Sequence, residues 1–199
     1  MVSGARAPVA LTRHTAQVAV QPVRLFGDPV LRTRAVEVVD FDKELRNLIR
    51  DLLETMTQEG AAGLAAPQLG ISLRVFSYHA EDVTGHLVNP VVEVVGEEMQ
   101  DGPEGCLSIP GMYWDCRRHL RVVARGLNQH GEPIEVAGSE RLARAIQHET
   151  DHLDGVLFID RLDPETRKQA MREIRQAPWF GAAPPVVKLS PHPLLGKVR

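Results

Sequence analysis

The sequence predicts an α+β fold: a compact single domain with largely antiparallel β-sheets around a central helix, one helix before the sheets and one after. Two observations carry this. Strand-like runs gather in the middle of the chain, and helical periodicity flanks them on both sides. The gaps between consecutive strand runs are also too short for the crossovers that parallel strands need. At 199 residues and 43% apolar side chains, the chain can bury a core without disulfides or a structural metal. Aromatic residues make up only 5%, so that core must rest on Leu, Val, Ile and Ala.

Residues 1–20 have no clear period and read as a leader or an extra strand. Pro22 and the Gly27-Asp28-Pro29 step then mark loops and short extended pieces. From Asp40 the pattern changes. Phe41, Leu45, Leu48, Leu52 and Met56 recur at intervals of three and four, one face of an amphipathic helix. Asp40 is placed to cap it and Gly60 to end it. Residues 60–70 are rich in Gly and Ala, which suits either a tightly packed loop or the wall of a cleft that something approaches closely. Leu73–Tyr78 and Leu87–Val95 read as strands, the second broken by Asn89-Pro90. Leu120–Leu127 and Pro133–Val136 follow, joined through the turn Gln129-His130-Gly131. Leu142, Ile146, Glu149 and Leu153 share a helix face, stopped by Gly155. A last helix starts at Pro164, capped by Asp163, and runs to about Arg175. The folded domain is expected over residues 21–177, and residues 178–199 form a Pro/Gly-rich tail.

The formal net charge of -3 and the lack of a long basic block disfavour broad phosphate-backbone binding, so no DNA partner is expected. Two cysteines, Cys106 and Cys116, are too few for a disulfide scaffold. No stretch reaches the roughly 18 apolar residues of a membrane span, and Met1–Ala10 leads into no apolar core of a secretory signal. The expectation is a cytoplasmic protein with no membrane partner.

The strongest local signal is Gln147-His148-Glu149-Thr150-Asp151-His152. Residues four apart on a helix share a face, so His148 and His152 can bind one metal ion. Such an ion lowers the pKa of a water it binds, and Glu149, beside the first ligand, can take that proton. The plain alternative is two histidines on a polar helix face. A hydrolytic site wants three protein ligands and one open position. Asp154 lies too near along the same helix to face back. Cys106 is the better candidate, in Pro103-Glu104-Gly105-Cys106-Leu107-Ser108-Ile109-Pro110, an extended loop bounded by prolines. An ordinary buried cysteine is the alternative there, and the residues alone leave both open.

Three separated motifs, in order, resemble those of the peptide deformylases. The first reads Ala61-Ala62-Gly63-Leu64-Ala65-Ala66-Pro67-Gln68, the second Glu104 to Ser108, the third Gln147 to Gly155. The likeness covers about residues 20 to 177. It implies hydrolysis of the N-formyl group from the initiator methionine of nascent polypeptides, releasing formate. It implies Cys106, His148 and His152 as metal ligands and Glu149 as general acid/base. The Gln68 amide and the Leu107 backbone N–H would stabilise charge on the formyl oxygen. Gly63 and its neighbours would run beside the substrate backbone. Ala62 and Ile146 would help enclose the methionine side chain. Glu104 would pair with Arg118 and support the cysteine loop. The implied cofactor is one divalent ion, Fe2+ in the cell, with Zn2+ or Ni2+ also suited to this donor set. The implied partners of the expected monomer are N-formylmethionyl peptides and, transiently, the ribosome; Arg167, Lys168, Arg172 and Arg175 on the last helix either touch its phosphates or, the plainer alternative, form a solvated helix face.

Two positions depart from the family pattern. Ala61 stands where Gly is usual, harmless on extended backbone and costly at positive φ. Tyr113 stands where many relatives have an arginine that helps hold the substrate backbone. The Tyr113-Trp114 pair is expected to replace it by stacking or a hydroxyl contact. Competing readings are a metallo-endopeptidase, against which Cys106 argues, and a relative that only binds peptides, against which Glu149 and Gln68 argue.

Overall fold

A computed structural model describes residues 21–80 and 82–181. The expected leader, and the tail beyond residue 181, lie outside the described residues. In chain order the elements are α1 (Lys43–Gln58), β1 (Gly63–Ala65), β2 (Val75–Ala80), β3 (Val83–Val94), β4 (Met99–Gln100), β5 (Pro103–Cys106), β6 (Ile109–Asp115), β7 (Arg118–His119), β8 (Arg121–Leu127), β9 (Pro133–Ser139), α2 (Glu140–Leu153) and α3 (Pro164–Gln176). The main sheet has the order β1-β2-β3-β8-β9 with every neighbouring pair antiparallel. Two ribbons, β4-β7 and β5-β6, stand beside it. This is the predicted α+β architecture, with α2 as its central helix.

The two-residue period of a strand sends alternate side chains to opposite faces, and β2 and β3 use both. Val75 and Val88 pack with Leu45, Leu48, Ile49, Leu52 and Met56 of α1. Their neighbours Phe76 and Leu87 pack with Leu142, Ala143, Ile146 and Leu153 of α2. The sheet is thus held between α1 and α2, and fully burying each Leu or Phe contributes about 1.5–3 kcal/mol. A third cluster joins α3, through Ala170 and Ile174, to Leu31, Ile109 and Phe158. It braces the β5-β6 hairpin against α3.

Several element boundaries differ from the sequence expectation, each for a physical reason. Asp42, not Asp40, caps α1: its side chain accepts the Leu45 N–H at 3.0 Å. Gly60, at φ +64°, ends that helix, and the Ala61 N–H returns to the Met56 carbonyl. The strand expected from Leu73 begins at Val75, because Leu73 instead forms a parallel bridge with Val36. Asn89-Pro90 bends β3 without ending it. Asn89 adopts φ +50°, the register shifts between Val88 and Val91, and Pro90, which has no N–H to pair, sits inside the bulge. The Asn89 amide makes two 2.9 Å hydrogen bonds to the Val38 backbone, fixing the bulge to the segment before α1. β9 runs on to Ser139, directly into α2. Asp163 caps α3 as expected, accepting from the Glu165 and Thr166 N–H groups.

Candidate metal centre and cleft

His148 and His152 lie one helical turn apart on the buried face of α2, with ring centroids 5.0 Å apart. Cys106 is the last residue of β5, and the hairpin register shifts at Gly105/Cys106, turning the thiol toward α2. Its Sγ lies 3.2 Å from His152 Nε2. The thiol and one nitrogen from each imidazole all fall within 4.8 Å of one another. A tetrahedral ion with two N and one S ligand needs donor separations of about 3.4–3.6 Å. The three side chains therefore fit a divalent transition ion with small adjustments and leave a coordination position free. Cys116 is fully buried and forms no disulfide, burial pushes its thiol up to about 11, and it is not among the side chains that converge here.

Ionic contacts outside the ligands set their orientation. Glu104 sits two residues before Cys106 and accepts His148 Nδ1–H at 2.7 Å, which leaves Nε2 as that ring's remaining donor atom. Arg118 grips both oxygens of Glu104 at 2.6 and 3.0 Å, as the motif resemblance implies. It also reaches Asp151 on α2 at 2.7 Å. Arg144 adds a further hydrogen bond to Glu104 at 2.8 Å. Burial alone would raise the Glu104 carboxyl, but His148 and Arg118 hold it far below the usual range. Burial pulls the His148 imidazole down, yet hydrogen bonds with Cys106 and Glu104 carry it well above its ordinary value. His152 moves the other way, lowered by burial and by the charge on His148.

Glu149 is 3% exposed, and one carboxyl oxygen has no hydrogen-bond partner among the described residues. Burial raises it to about 7 against the opposing charge of His148. Gly63 passes so close that any side chain there would run into the Glu149 carboxyl. Gln68 lies in the short turn after β1. Its Oε1 accepts the Ala65 N–H at 2.8 Å, which aims Nε2 at Ser108 Oγ (3.3 Å) and Cys106 Sγ (3.5 Å). Leu107 occupies the hairpin turn beside the cysteine.

These groups open into a cleft of about 1020 Å³ whose wall includes Ala61, Ala62, Gly63, Gln68, Leu107 and Tyr113. Ile146 is not among its lining residues. It is fully buried against the main sheet, because two residues before His148 a helix faces away from the site. Ala145, three and four residues before His148 and Glu149, lines the cleft instead, and helical spacing alone could have found it. The Tyr113-Trp114 pair also splits. Tyr113, 68% exposed, lies over Gly105 on the cleft wall, whereas Trp114 stacks on Phe158 at 6.0 Å. Strand alternation forces this division. Ala61 is not at positive φ, so its methyl group carries no backbone strain. Arg144, Ser108 and Asp151 are contributors that motif reading did not single out.

A buried Cys/His/His donor set beside a buried carboxylate, in this α+β frame, defines a metal-dependent hydrolase. The family model for polypeptide deformylase matches residues 20–168. The peptide deformylase of Acidothermus cellulolyticus is 62% identical over 90% of this chain and 99% of its own length. That of Parafrankia sp. is 57% identical over 92% of this chain and 100% of its own. Among solved structures, a peptide deformylase from Legionella pneumophila superposes with a TM-score of 0.73 at 37% identity, covering 79% of this chain and 95% of that one. The peptide deformylase from Thermus thermophilus gives 0.74 at 39% identity, covering 79% and 94%. The chain belongs to the peptide deformylase family. Among the described residues, no helix is long and apolar enough to cross a membrane.

Proposed function

We propose that this chain hydrolyses the N-formyl group from the initiator methionine of nascent polypeptides and releases formate. The observation that carries this reading is the convergence of Cys106, His148 and His152 on one point, with Glu149 and the Gln68 amide beside them. The three ligands would hold one divalent ion, Fe2+ in the cell. When bound, it supplies Lewis acidity that polarises the formyl carbonyl and makes water nucleophilic near neutral pH.

The chain's own groups do the rest. Glu149, held up at about 7 by burial, takes the proton of the attacking water and passes it to the departing α-amine. Gln68 Nε2–H and the Leu107 backbone N–H donate to the formyl oxygen as charge grows there. β1 has β2 on one side only, so Gly63 and Ala62 offer a free edge to an extended peptide. Ala62 and Ala145 take the methionine side chain, and Tyr113 covers the exit of the cleft. Glu104 and Arg118 hold the ligand elements in place.

Purified, metal-loaded protein given a formyl-methionyl peptide should release one formate per peptide, read by a formate dehydrogenase assay. Internal fragments without formate would instead favour an endopeptidase. We further propose that the protein is a cytoplasmic monomer that visits the ribosome through α3. Arg167 pairs with Asp160 at 3.3 Å, whereas Lys168, Arg172 and Arg175 have no ion pair among the described residues. Salt-sensitive co-sedimentation with ribosomes should follow, and no pelleting at low salt would end that proposal.

A further inference from the structure

The three ligands come from two separate elements, Cys106 from β5 and the histidines from α2. Something must fix the distance and rotation between them. Arg144 stands four residues before His148, so the two side chains leave the same face of α2 one turn apart. Both reach the same carboxylate. His148 Nδ1 meets Glu104 Oε1 at 2.7 Å, and Arg144 Nη1 meets Oε2 at 2.8 Å. With Arg118 on both oxygens, Glu104 accepts four hydrogen bonds while only 4% exposed. Arg144 Nη1 also donates to the Cys116 carbonyl at 2.7 Å, tying α2 to the segment between β6 and β7 that leads into Arg118.

A single contact between His148 and Glu104 would act as a pivot, about which α2 could rotate relative to β5. A second contact one turn away removes that freedom. We propose that Arg144 is a positioning residue of the metal centre. Together with His148 it clamps two successive turns of α2 to Glu104, holding Cys106, His148 and His152 at ligand separation. Arg144 also lines the cleft, so whatever packs against its stem bears on the clamp as well as on the substrate. This inference rests on the reading of the three residues as metal ligands.

The test follows the release of cobalt(II) from protein loaded with one equivalent, in excess chelator, through the thiolate-to-cobalt absorption band. Arg144→Leu should release the ion about 10- to 100-fold faster than wild type, the range typical of lost outer contacts. Arg144→Lys, which restores a cationic donor on a shorter stem, should fall between the two. Arg141→Leu removes a cleft-lining arginine with no hydrogen bond to Glu104, and should release at the wild-type rate. Circular dichroism establishes that each variant is folded. Release from folded Arg144→Leu within twofold of wild type would overturn the proposal. If that variant does not fold, Arg144→Lys decides alone: faster release supports the clamp, and a wild-type rate overturns it. A wild-type protein that binds no cobalt, or shows no thiolate band, would refute the ligand reading itself, an outcome distinct from failure of the clamp.

Discussion

At the scale of single residues, the site depends on two polar groups whose surroundings do most to define their roles. Glu149 forms no ion pair among the described residues, so Glu149→Ala should leave metal content at one equivalent by elemental analysis. The same variant should lower kcat by about 10²–10⁴-fold, the usual loss of a general acid/base. Unchanged turnover would sink the mechanism. Ser108 is subtler. Its buried hydroxyl takes one N–H of Gln68 and so directs the other. Ser108→Ala should lower kcat about 2- to 10-fold, matching the about 0.5–1.5 kcal/mol of one hydrogen bond. In a Gln68→Ala background the effect should vanish, and additive losses would show that Ser108 acts elsewhere. The motifs made Glu149 and Gln68 legible because chemistry constrains residue type and spacing along the chain. Ser108, Arg144 and Asp151 act through contacts 33 to 40 positions apart, for which linear spacing provides no signal.

At the scale of elements, helices were easier to read than strands. Three-and-four periodicity located α1 and α2, and Asp163-Pro164 marked the start of α3 to the residue. Strand limits were less legible because β3 keeps its pairing through a proline, which a local reading treats as a break. Asn89 is the reason it can. Its amide satisfies both backbone groups of Val38, and its left-handed φ turns the chain past Pro90. Asn89→Ala loses both hydrogen bonds and places a disfavoured residue in that conformation. The expected cost is about 2–3 kcal/mol, a fall in Tm of roughly 4–12 °C by calorimetry. A fall under one degree would mean that the bulge is held by its neighbours alone. The misplacement of Ile146 in the cleft has the same origin. The helix runs where the periodicity places it, but Ile146 faces the main sheet and Ala145, one position earlier, lines the cleft.

At the scale of the molecule, α1, α2 and α3 each close a separate apolar cluster, and polar links tie the third cluster to the segment before α1. Asp160 is one of them. It pairs with Arg32 and with Arg167, and accepts the Leu157 N–H at 2.9 Å. Burial raises its carboxyl, but Arg32 and the Leu157 N–H outweigh this and hold it below the ordinary aspartate range. A carboxylate with a depressed folded pKa adds stability above its unfolded value and loses it as the pH falls through the folded one. Wild type should therefore melt above Asp160→Asn at pH 7, with the gap closing below about pH 4. A gap that stays constant down to pH 3 would contradict this assignment.

The close passage of Gly63 beside Glu149 has a consequence for inhibition. Resistance commonly arises when a side chain grows or shrinks at the contact with a drug. At Gly63 the contact surface is main chain, and every replacement drives a new side chain into the carboxyl that turnover needs. A compound that takes its affinity from the Gly63 backbone therefore meets a contact that a larger residue there reshapes only by displacing the Glu149 carboxyl.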